Sequence, residues 1–190
     1  MEATISGVER ETIDAGWLVL RPFVAADVPW VYGVSVDTEM DRFIDIPSPY
    51  RLDHAAFFVE QLAIAGWDAG TRYELLAEDA STGERLGRVG LGIGPRGAAE
   101  IGYWVDPRAR GRGVATDAAR ALCAWAFRRL DLDLIEWRAE VGNDASRRVA
   151  EKVGFLMEGT LRQRLVHRET RVDAWVGSLL KSEATRCSRP

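Results

Sequence analysis

The chain has 190 residues, 47% of them hydrophobic, which is enough to fill the core of one domain and leaves little room for two. A formal net charge of −4 removes the broad attraction to phosphate backbones that a nucleic-acid binder carries, so any phosphate site has to be local. No apolar run approaches bilayer length, Met1-Glu2-Ala3-Thr4 does not begin a signal peptide, and Cys123 and Cys187 suggest no disulfide framework; the expected home is the reducing cytoplasm, with no membrane partner.

Residues 1–15 are expected to form a loose N-terminus, 16–181 a single domain, and 182–190 a loose tail. Trp17, Val19 and Leu20 lead into Arg21-Pro22 as a first strand that ends where proline restricts the backbone. Asp27 to Val36 and Asp53 to Trp67 carry apolar residues at helical spacing, the second with Asp53 as its N-cap, and are expected to form a lid over one end of a sheet. Tyr73 to Ala77, Arg85 to Ile93 and Ala99 to Val105 read as an antiparallel meander, joined by Asp79-Ala-Ser-Thr-Gly83 and Gly94-Pro-Arg-Gly97. Val114 to Leu130 is a long amphipathic helix, Leu134 to Val141 a strand, Ala145 to Val153 a short helix stopped by Gly154, and Val172 to Leu180 a terminal strand. The fold class is therefore α/β (α+β): one domain with a mixed, mainly antiparallel sheet flanked by helices.

The segment Arg108-Ala-Arg-Gly-Arg-Gly-Val-Ala115 lies between a strand and the long helix. Its glycines let successive backbone N–H groups turn toward one point, and a helix N-terminus adds unpaired donors and partial positive charge, so an anion such as a pyrophosphate is favoured there. Arginines 108, 110 and 112 can add charge-assisted contacts. Taken alone the segment is equally a solvated basic turn. No Gly-Lys-Ser/Thr follows it and the spaced third glycine of a dinucleotide fingerprint is missing, which makes ATP and NAD poor ligands. A second segment, Asn143-Asp-Ala-Ser146 followed by Glu151-Lys-Val-Gly-Phe155, is explained in isolation by helix capping at Asn143 or Asp144 and a glycine stop at Gly154.

Together, in the order meander, Arg-Gly-x-Gly-x-Ala loop, long helix, strand, Asn-x-x-Ser helix and Gly-Phe, the motifs resemble the GNAT superfamily of N-acyltransferases, with the RimJ/RimL-type branch as the nearest likeness. The resemblance runs from Trp17 to Leu180, supported by Leu20-Arg-Pro-Phe23, Glu100-Ile-Gly-Tyr-Trp-Val105 and Glu158-Gly159. It implies transfer of an acyl group, normally acetyl, from coenzyme A to a primary amine of a protein N-terminus or small molecule. Arg110, Gly111, Arg112, Gly113, Val114 and Ala115 would hold the CoA pyrophosphate, the backbone at Val105 would pair with the pantetheine arm, and Asn143 would contact that arm or help shape the acyl site. Ser146 would donate to the departing thiolate where many relatives use a tyrosine, since no tyrosine follows Tyr103. Glu100 would be the base, because an attacking amine must lose a proton. Relatives that act on ribosomal proteins place an acid shortly after Glu-Gly, whereas residues 159–168 contain none. The resemblance allows a homodimer.

His54 and His167 share no metal-ligand spacing and read as solvent or lid residues, so no metal is expected. Cys123 on the apolar side of the long helix reads as packing. Trp30, Tyr32, Phe43, Tyr50, Phe57 and Phe58 divide between core and acceptor cleft in a way the sequence does not resolve. Two rivals to the enzyme remain: a CoA-binding sensor of the same fold without turnover, and a nucleic-acid binder built on the arginine turn, which the acidic balance opposes.

Overall fold

The computed structural model describes residues 8–36 and 42–184. Eight strands form one sheet in the order β1-β2-β3-β4-β5-β6-β8-β7: β1 (Ile13–Ala15), β2 (Leu18–Pro22), β3 (Arg72–Asp79), β4 (Arg85–Ile93), β5 (Ala98–Val105), β6 (Leu134–Glu140), β7 (Leu156–His167) and β8 (Thr170–Leu180). Every neighbouring pair is antiparallel except β5–β6. The mixed, mainly antiparallel sheet and the predicted meander are both present.

The two-residue period of the strands separates two apolar layers. Tyr73, Leu75 and Ala77 of β3, Val89 and Leu91 of β4, Ala99 and Ile101 of β5, and Ile135 and Trp137 of β6 enter the larger core beneath α4 (Val114–Arg129) and α5 (Asp144–Val153). Helix α4 buries Ala118, Ala119, Leu122, Cys123, Trp125 and Ala126, a stripe at helical spacing. Cys123 packs there as expected, and burial pushes its thiol up to about 12, so it is an inert hydrophobe. On the other face a smaller core of Phe23, Val31, Ala55, Val59, Ala63 and Leu76 joins β2 and β3 to α1 (Val28–Ser35) and to α2 (Leu52–Phe57), which continues as a π-helical stretch, Phe58–Ala65, and ends in α3 (Gly66–Asp68). These are the predicted lid helices.

Four local expectations differ. Helix α2 is capped at Arg51, whose N–H is accepted by His54 Nδ1 at 3.2 Å; Asp53 instead takes the Arg51 guanidinium at 2.9–3.0 Å. The N-terminal stretch to Ala15 is not loose over residues 8–15: Ile13 is buried in β1, Trp67 Nε1 donates to the Val8 carbonyl at 2.8 Å, and Glu11 accepts from Trp125 and Arg129. Residues 1–7 lie outside the described part. In the expected tail, Lys181–Ala184 form α6; residues 185–190, with Cys187, lie outside the described part. Strand β7 was not anticipated at all. Among the described residues no helix is long and apolar enough to cross a membrane.

Candidate active site

Strands β5 and β6 start together and then part. Their parallel ladder runs from Ala98–Leu134 to Ile101–Trp137 and stops, although β5 continues to Val105 and β6 to Glu140. Gly102 to Val105 thus keep their β4 ladder on one side and, among the described residues, have no strand partner on the other. Unpaired backbone at such an edge is an invitation to an extended ligand.

The open edge leads straight into the glycine loop. Asp106 accepts from the Arg108 backbone N–H (2.9 Å) and from its guanidinium (2.7 and 3.0 Å), which fixes a tight turn over Pro107–Ala109. Arg108 is therefore committed to Asp106 rather than to a ligand. Gly111 and Gly113 take φ of +77° and +88°, a region in which a side chain is strained, and Gly113 caps α4. A Cβ on Gly111 would meet open space, so the backbone there is approachable. The first N–H groups of the sixteen-residue α4, from Val114 and Ala115 onward, have no acceptor within the helix and open on the same side of the loop. Arg110, Gly111, Arg112 and Gly113 are exposed, and Arg112 reaches Asp79 at 3.4 Å and Glu84 at 3.6 Å while stacking 5.5 Å over Trp17. The loop therefore offers backbone N–H groups in an open, exposed place.

Helix α5 supplies the second group. Asn143 caps it, its side-chain oxygen accepting from Ser146 N–H at 3.1 Å, so the capping explanation is realised. The Ser146 hydroxyl accepts from Trp137 Nε1 at 3.0 Å and donates to Tyr103 Oη at 3.2 Å, and Tyr103 donates to the Ser146 carbonyl at 2.9 Å. Burial pushes the Tyr103 phenol up to about 12, against the pull of its hydrogen bonds with Ser146 and Trp137, which keeps it a neutral O–H. Tyr103 thus stands beside Ser146 at the parting of β5 and β6. No tyrosine follows Tyr103 in the chain; the alternation of β5, which puts Tyr103 on the face of Ile101, is the sequence signal for its place here.

Glu100 points to the opposite face, into a cavity of about 450 Å³ lined by Arg72, Glu74, Arg88, Glu136 and Arg138 among others. Its side chain is 48% exposed, and Arg138 Nη1 lies 3.2 Å from its carboxylate while Arg138 Nη2 holds Glu136 at 2.6 Å. The base candidate and the Ser146–Tyr103 pair therefore flank the same stretch of β5 from its two sides. Of the aromatic residues left undecided, Trp30 stacks on Trp104 with centroids 5.3 Å apart, Phe58 packs edge-on against Phe23, and Phe57 is exposed. His167 is not a free surface residue: its Nδ1 lies 3.0 Å from Glu140. Among the described residues no group of His, Cys, Asp and Glu is arranged to hold a metal.

Residues 18–156 match the Acetyltransferase (GNAT) domain family. The chain is 44% identical over 85 residues to Bacillus subtilis YdaF, whose name provisionally designates it a ribosomal N-acetyltransferase; the match covers 45% of this chain and 46% of YdaF, so the chain spans about half the length of that curated relative. It is 37% identical over 65 residues to the ribosomal-protein-serine acetyltransferase of Escherichia coli, covering 34% of this chain and 36% of that one. In fold it is similar to Mycobacterium smegmatis RimJ in complex with CoA-disulfide (TM-score 0.83, 23% identity, 94% of this chain and 93% of that one). It is likewise similar to RimL, a ribosomal L7/L12 alpha-N-protein acetyltransferase in complex with coenzyme A (TM-score 0.82, 24% identity, 90% and 98%). The chain belongs to the GNAT acetyltransferase family, acyltransferases that take their acetyl group from acetyl-CoA.

Proposed function

We propose that this protein transfers an acetyl group from acetyl-CoA to a primary amine by direct attack, with the α-amine of a protein, the acceptor named for the structurally similar RimL, as the leading candidate. The observation that carries the reading is the ladder that ends at Ile101–Trp137 beside a glycine loop at the head of α4. In this reading the backbone of Arg110 to Ala115 receives the CoA pyrophosphate, the free edge near Val105 pairs with the pantetheine arm, and Asn143 borders it. The sulfur then lies toward Ser146 and Tyr103.

Glu100 removes a proton from the acceptor ammonium, directly or through water. The nitrogen lone pair attacks the thioester carbonyl, the C–S bond breaks, and the proton still on nitrogen leaves as the amide forms and passes to the thiolate; the charge that develops on sulfur is met by the Ser146 or Tyr103 hydroxyl, turned from the acceptor it otherwise holds. Holding amine and thioester in register contributes on the order of 7 kcal/mol or more of the barrier reduction. No observation favours the sensor. Titration with acetyl-CoA in a calorimeter, followed by thiol release across a panel of amines, tests the reading: binding with release supports it, binding without release to any amine leaves the sensor, and no binding at millimolar acetyl-CoA overturns both.

A further inference from the structure

The cavity around Glu100 has a floor and walls of different chemistry. Across the sheet, Arg72 stands opposite Gly92, Gly92 opposite Glu100, and Glu100 opposite Glu136; in the next row, Glu74 stands opposite Gly90 and Gly90 opposite Gly102. Glycine in the middle of both rows leaves bare backbone, and guanidinium groups lie down over it. A Cβ on Gly90 would collide with Glu74 and come 3.0 Å from Arg88 Nη2; one on Gly102 would be 3.2 Å from Arg88 Nη1, and one on Gly92 4.0 Å from Arg72 Nη2. Helices α1 and α2 pack over the β2–β3 end of this face, against Leu76, and the charged residues occupy the space beyond.

The donors and acceptors here do not balance. Glu74, with its side chain fully buried, takes Arg88 through Nε and Nη2 at 2.6 Å each and Arg72 through Nη1 at 3.2 Å. Arg138 spends Nη1 on Glu100 and Nη2 on Glu136. That leaves Arg88 Nη1, Arg72 Nη2 and Arg138 Nε without a protein acceptor among the described residues, and the Arg138 Nε–H is buried from solvent as well. A buried guanidinium N–H with no acceptor is uncommon, because the group gives up water and receives nothing in return. Both Glu74 oxygens are already in use, so acceptors for Arg88 Nη1 and for Nη2 of the half-exposed Arg72 come from solvent or from a ligand in the cavity.

We propose that Arg72, Arg88 and Arg138 form an oxyanion site inside the acceptor pocket, and that the acceptor carries an anionic oxygen group close to the amine it presents to Glu100. Gly92 and Glu100 are on adjacent strands about 5 Å apart, and Arg72 leans over Gly92, so amine and anion belong to the same residue or to successive ones. The shared chemistry is a carboxylate beside an amine. It is supplied by the α-carboxylate of a free amino acid or by an acidic side chain in the first residues of a polypeptide. Guanidinium pairs with carboxylate in a planar, two-point fashion that an amide or a second ammonium does not reproduce. A polyamine would bring a further cation against Arg72 and be rejected by like charge.

This inference rests on the acetyl-transfer reading, and its test separates the two. Matched probes differ only in the anion: the amidated tetrapeptides Ser-Asp-Ala-Ala and Ser-Asn-Ala-Ala, and free serine beside serinamide. Thiol release should favour the anionic member of at least one pair by tenfold or more in kcat/KM, the pair identifying the source. Arg72→Gln, at a half-exposed position that tolerates substitution, should bring that preference close to unity. Equal use of both members in both pairs overturns the oxyanion site, as does a preference that survives both Arg72→Gln and Arg138→Gln. Should no amine release thiol, the acetyl-transfer reading fails; calorimetric binding of the same probes to the CoA-saturated and the ligand-free protein still decides the site, preference for the anionic probe supporting it and indifference overturning it.

Discussion

On the proposed reading, the two sides of β5 solve recognition in opposite ways. On the α4–α5 side the groups offered are neutral or belong to the backbone: glycine N–H groups, the head of α4, an open strand edge, and the Ser146–Tyr103–Trp137 hydroxyl and indole ring of bonds. On the α1–α2 side they are charged side chains laid over glycines. Backbone donors suit a ligand that never varies, because no side-chain substitution can retune them. Charged side chains hold the variable partner, since each is one mutation away from another preference. The difference teaches that the donor side should be sensitive to anything that fills space, and the acceptor side to changes of charge.

The largest effect tests the backbone side. Gly113→Asp adds a side chain at φ +88° and a negative charge where the anion sits; CoA affinity should fall by on the order of 100-fold or more, with the far-ultraviolet circular dichroism unchanged. Normal CoA binding by a folded variant would move the cradle elsewhere and dissolve the contrast. Next comes the charged side. Glu100→Gln should lower the rate roughly 100-fold near neutral pH and much less at high pH, where the amine is already free. A defect of equal size at every pH would make Glu100 a positioning residue, and an undiminished rate would remove it from the site.

A smaller effect sharpens the comparison within the neutral network. Ser146→Ala and Tyr103→Phe should each reduce kcat by about tenfold, the worth of one hydrogen bond to a developing charge, while CoA affinity stays nearly constant. If Tyr103→Phe matters and Ser146→Ala does not, the phenol is the donor to sulfur and the serine only orients it.

The smallest effect is on stability. The Tyr103 phenol titrates ordinarily near 10.0 in the unfolded chain and at about 12 in the fold, so between those values the unfolded state binds fewer protons and stability falls as pH rises. Below pH 10 the phenol is neutral in both states and contributes no slope. Tyr103→Phe should make the alkaline limb of a thermal-melt profile shallower than in the parent protein, and an unaltered limb would mean that Tyr103 is better hydrated than its surroundings imply. Buried Cys123, also pushed up to about 12, adds its own slope from pH 9 upward in both proteins and is one of the groups that raise the Tyr103 phenol.

Local pattern made much of this architecture readable. Strand β4 and helix α4 were placed within a residue of their observed ends, because each carries a full period of apolar residues facing one core and is bounded by proline, glycine or charge. Strand β7 was invisible for the converse reason. It is the outer edge of the sheet, exposed along most of its length, and owes its form to the β8 ladder rather than to burial, so no alternation marks it. Strand β1 escaped too, being three residues held by β2 and by contacts from the first turn of chain to Trp67 and Trp125.

The sequence by itself determined most of the order of elements, the glycine loop at the head of the long helix and the family resemblance, since glycine spacing and hydrophobic period are properties of consecutive residues. Only the tertiary structure decided where β5 and β6 part, that Tyr103 meets Ser146 across 43 positions of chain, and that Arg72, Arg88 and Arg138 line one cavity with Glu100 over three glycines. Those contacts lie across strands, where distance is set by register, and register follows from how every strand buries its apolar face at once.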